Sequence, residues 1–64
     1  MPQDAASAAL AEVRALVLQS LRDHPNERRL SRIADDLPMP PSVRRELGAD
    51  EVFSEIARTL RDHS

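Results

Sequence analysis

Few side chains in this sequence could do covalent or acid–base chemistry. The 64 residues include no cysteine, tyrosine, tryptophan or lysine. A disulfide, a thiolate nucleophile and a thiolate metal site are therefore excluded. The two histidines, His24 and His63, lie far apart, and each falls at an expected helix end. A zinc site needs three or four ligands of the right type, so no metal is expected, and no other cofactor either. Asp35 and Asp36 are adjacent. On a helix, neighbours point about 100° apart, so they make two solvated acids and not a carboxylate pair. Nothing in the spacing of the serines and histidines suggests a nucleophile oriented by a base. Short helices also enclose little dry volume for a reaction. The chain is expected not to be an enzyme.

What remains is charge and apolar patterning. The nine cations, all arginine, and eleven acids leave a net charge of −2. Residues 1–27 carry net −2, residues 28–45 net +3 and residues 46–64 net −3. A weakly acidic whole disfavours non-specific nucleic-acid binding, and only the basic middle keeps it in view. No apolar run reaches membrane-spanning length. The Ala-rich start lacks the basic region of a signal peptide. No membrane partner is expected, and a cytoplasmic location is the default.

The elements that must position these residues are helical. Asp4 can cap a first helix over about residues 5–24, which Pro25 stops. On it Leu10, Val13, Leu16, Val17 and Leu21 share a face. Leu18 and Ala11 fall beside that face, with Arg14 between, which widens the apolar arc. A second helix is expected over 27–37, with Asn26 as its cap and Leu30, Ile33, Ala34 and Leu37 as its stripe. The prolines of 38–41 make a stiff connector. A short helix follows over 41–47, with Gly48 as its C′ residue. Asp50 then caps a last helix over 50–62, with Glu51 beside the positive end of its dipole. Strand signals are missing. The fold class is all-α, a small bundle of three to four short helices in one domain, 1–64. So thin a core leaves little stability margin, and dimerisation is one way to complete it.

Two resemblances bear on function. The stretch "LSRIADDLPMPPSVRREL" is similar to the helix-turn-helix unit of many bacterial regulators. Leu30, Ile33, Ala34 and Leu37 match its first helix, Met39 its turn, and Val43 and Leu47 its recognition helix. That resemblance implies DNA contacts from Arg44 and Arg45. Two features depart from the pattern. Pro38 stands where a turn glycine is usual, and the stretch from Leu37 to Leu47 is one residue short.

The tail "ADEVFSEIARTL" resembles the C-terminal docking segment of modular polyketide synthases. Asp50, Glu51, Val52 and Phe53 match its start, then Ile56 and Leu60. The order of elements also fits: two helices, a linker, then a terminal helix. The resemblance implies a homodimer through the first two helices. It also implies a terminal helix that binds the coiled coil of the next synthase subunit. Val52, Phe53, Ile56 and Leu60 would be the buried anchors, with Asp50, Glu51 and Glu55 meeting basic partners. The expected function is a non-catalytic protein–protein docking module built on the amphipathic last helix. The alternative is a DNA-binding regulator using residues 30–47. Phe53, the sole aromatic residue, belongs either to the protein's own core or to a hook for another chain.

Overall fold

The first helix begins where its cap requires. The Asp4 carboxylate accepts the Ser7 N–H at 2.7 Å, which satisfies one of the free amides of the first turn. The Ser7 backbone bond foremost, and the Ser7 side chain after it, hold the Asp4 carboxyl below its usual range. In the computed structural model, which describes residues 4–63, helix α1 spans Ala5–Asp23. Helices α2 (Leu30–Asp36), α3 (Pro41–Glu46) and α4 (Ala49–Asp62) follow. The described residues form an all-α bundle of four helices. Of the single domain expected over 1–64, residues 1–3 and 64 lie outside the described residues. No helix among the described residues is long and apolar enough to cross a membrane.

Helix α2 starts later than Asn26 would have it. Residues 24–27 form a turn instead, closed by the Glu27 N–H donating to the His24 carbonyl at 3.0 Å. Glu27 then holds Arg29, accepting from its backbone N–H at 3.1 Å and from its guanidinium at 3.3 and 3.4 Å. This pairing with Arg29 keeps the Glu27 carboxyl below its usual range. Arg29 is left extended at φ −76°, ψ 124°, and α2 begins at the next residue. The helix stops at Asp36 because Leu37, which precedes Pro38, is extended, as a residue before proline prefers to be.

Pro41 opens α3 at its first position, where a missing N–H costs nothing and φ is already helical. Gly48 follows the end of α3, but at φ −75° it is not in the left-handed conformation of a terminating glycine. Its role is at the other junction. Gly48, and not Asp50, is the N-cap of α4, with Glu51 reaching back to the Gly48 N–H at 3.4 Å.

Packing is organised around α1 and α4. Both α3 and α4 pack on α1, and α2 packs on α4. Val13, Val17, Ile33, Leu37, Val43, Leu47 and Ile56 form the buried core, with Ala9 at the α3 end. Helices of six and seven residues have no stability of their own, so α2 and α3 exist because this core holds them. The faces of the first two helices that a homodimer would have shared are thereby occupied within the chain. Leu18 is half-buried at the side of that arrangement.

Candidate docking groove

The seven docking residues predicted on α4 separate onto different sides of it. Ile56, 1% exposed, is fully inside the core. Val52 and Leu60 are half-buried and pack against the core. Glu55 is also buried, facing α1. Its carboxylate lies 3.9 Å from Arg14 Nε, and a second Arg14 nitrogen lies 3.7 Å from Asp62. Glu51 is engaged with the start of its own helix. Asp50 is exposed. The sequence expectation that all seven face a partner is therefore corrected for Ile56 and Glu55. A helix docked on two neighbours must direct its central apolar and acidic residues into the chain's own seams.

Phe53 differs from the rest. It is 45% exposed, the one large apolar side chain among the described residues left open to solvent. It lines a groove of about 600 Å³ between α2, the proline connector, α3 and the first half of α4. Leu37, Met39, Leu47, Val52 and Ile56 contribute apolar wall, and Asp35 and Arg44 bring one charge of each sign. The groove exists because of the connector. Pro38, Pro40 and Pro41 keep residues 37–40 from continuing α2, and this stretch carries the chain from α4's neighbour α2 to α1's neighbour α3. The space between these two short helices stays unfilled.

The α1–α4 seam is tighter by contrast, with a smaller cleft of about 290 Å³ beside Leu10, Ser54 and Arg58. Thr59 is fully buried there. Its hydroxyl donates to the Glu55 carbonyl at 2.9 Å, so no polar group is stranded. Arg28 donates to the His63 carbonyl at 3.1 Å, tying the segment after α1 to the end of α4. Such a cation is favourable at the negative end of a helix dipole.

The predicted DNA-binding pair is divided. Arg44 lines the Phe53 groove, whereas Arg45 lines a small cleft against α1 with Ala9 and Glu12. Moreover, α2 packs on α4 and α3 on α1, so α2 and α3 do not make the mutually packed pair that presents a recognition helix. Among the described residues no three His, Cys, Asp or Glu side chains are grouped to hold a metal ion. Comparison with protein-family models, curated proteins and solved structures finds no match.

Sequence reasoning placed Phe53 among the docking residues but missed the groove beside it. Met39 was assigned to a turn and Arg44 to DNA. The usable signal was the connector itself, since three prolines in four positions cannot fill space as a helix would. The burial of Glu55 and Thr59 had a fainter signal, their i, i+4 spacing on the edge next to Ile56.

Proposed function

We propose that this chain is a non-catalytic protein–protein docking module whose groove receives the apolar edge of a helix from another polypeptide. The observation that carries the reading is the exposure of the sole aromatic residue on a groove walled partly by Leu37, Met39, Leu47 and Val52. Aromatic side chains concentrate binding energy at interfaces, and a helix edge in a groove is a recurrent mode of recognition. The likeness of residues 50–60 to polyketide synthase docking segments supports the same reading of Phe53, with Val52 and Leu60 as its flanks. It does not extend to Ile56, which the core uses. A cytoplasmic location belongs to this proposal as well.

The test is an NMR titration of the ¹⁵N-labelled chain with a synthetic amphipathic helix carrying leucines at i, i+3, i+4 and i+7. Shift changes should cluster at Met39, Leu47, Ala49 and Phe53, and Phe53→Ser should abolish them while the remaining spectrum stays folded. Changes centred on the α1–α4 seam, or unaffected by Phe53→Ser, would refute the reading.

A further inference from the structure

Resting on the reading of the groove as a docking site, we propose that its occupant is a second copy of this chain, in a two-fold symmetric dimer. Phe53 of each copy sits in the groove of the other. A two-fold interface uses the same patch on both sides, so the patch must complement itself in shape and charge. This one offers both an exposed aromatic residue and a partly apolar recess to take it.

Its charges fit the same requirement. Asp35 and Arg44 both line the groove. Neither side chain forms an ion pair or hydrogen bond among the described residues. Two opposite unpaired charges around one recess are what a two-fold axis can join, Arg44 of each copy to Asp35 of the other. A uniformly charged partner would leave one of them facing a like charge. The likeness to synthase docking segments implied pairing through the first two helices. The present contact uses the free flank of α4 instead, because α3 and α4 already cover those helices.

A single groove makes a small interface, so association is expected to be weak, with Kd on the order of 100 µM. Sedimentation equilibrium from about 10 µM to about 1 mM spans that range. The mass should rise with concentration from the 7.1 kDa of one chain towards twice that value. Arg44→Asp and Asp35→Arg should each hold the chain monomeric, with circular dichroism melts showing that both still fold. The double variant should dimerise again. An equimolar mixture of the two single variants should form a heterodimer, because each then carries two like charges that match the other's. Phe53→Ser should be monomeric in every background.

A wild-type chain monomeric throughout the range would overturn the proposal. So would a dimer indifferent to Phe53→Ser, or folded charge reversals that fail to rescue one another. If the wild type is monomeric yet still binds the leucine-edged helix at Phe53, the second copy is ruled out as occupant and the docking reading stands. If it also fails to bind that helix, both fall.

Discussion

On its α1 side, α4 is the more tightly packed, leaving a small cleft beside Leu10, Ser54 and Arg58. Thr59 is fully buried there and Glu55 closes the edge against Arg14, while Ile56 is fully buried in the core beneath both sides. On the side facing α2 and the connector, the same helix leaves Phe53 45% exposed beside an open groove. Both flanks are apolar in sequence, and a helical wheel treats them as one face. What separates them is the neighbour. α1 is nineteen residues long and runs beside α4, whereas α2 and α3 have seven and six. Two short helices joined by prolines cannot cover what one long helix covers. Amphipathicity therefore says that α4 must pack, but not which of its apolar residues are left for another chain.

The strongest way to break this comparison is to truncate the buried centre of α4. Ile56→Ala should cost roughly 2–4 kcal/mol, the range for a large buried aliphatic. For a domain of this size that is a large part of the total stability, and urea denaturation would read it directly. A cost below about 1 kcal/mol would mean that α4 is not docked as described. On the open flank, Phe53→Ala should cost less than about 1 kcal/mol of folding stability, since much of its area is already in water. Its loss should appear in helix binding instead. Equal melts for the two alanine variants would erase the distinction between the buried centre and the open flank.

Much of the fold was legible because its causes are local. The Asp4 cap and the stops before Pro25 and Pro38 each follow from single residues. Errors arose where two residues competed for one role. Asn26 is a good cap, but Glu27 gripping Arg29 delays α2 to Leu30. Asp50 is a good cap, but Gly48 comes first and Glu51 reaches back to it. The groove was least legible, because it depends on where α2 and α3 dock and not on their own sequences. Arg44 and Arg45 illustrate this. Adjacent in sequence, they face the groove and the α1 cleft respectively, a division that only the packing reveals.

Smaller perturbations sharpen the comparison. Glu55→Gln should cost about 0.5–1 kcal/mol, because Arg14 is half-exposed and the pair is only partly shielded from water. The cost should shrink in high salt, which denaturation at two ionic strengths would check. Gly48→Ser should add a few tenths of a kcal/mol by giving α4 a side-chain cap. Gly48 sits in ordinary extended geometry, and an added Cβ there meets only the end of Glu51 at 3.9 Å. The slightest effect expected is on acid stability. Asp4 and Glu27 ionise below their usual range in the folded chain, so on acidification the unfolded chain takes up these protons first. Their contribution is complete above the ordinary carboxylate values and disappears as pH falls through their folded values. Melts of Asp4→Asn and Glu27→Gln should therefore differ from wild type at neutral pH and converge with it in acid.

The most direct measurement is solvent accessibility of the buried centre and open flank of α4 in dilute protein, using a soluble gadolinium chelate that broadens the protons it can approach. The account predicts strong broadening of the Phe53 ring signals and protection of the Ile56 methyls. Phe53 protected as well as Ile56, or both broadened alike, would contradict it.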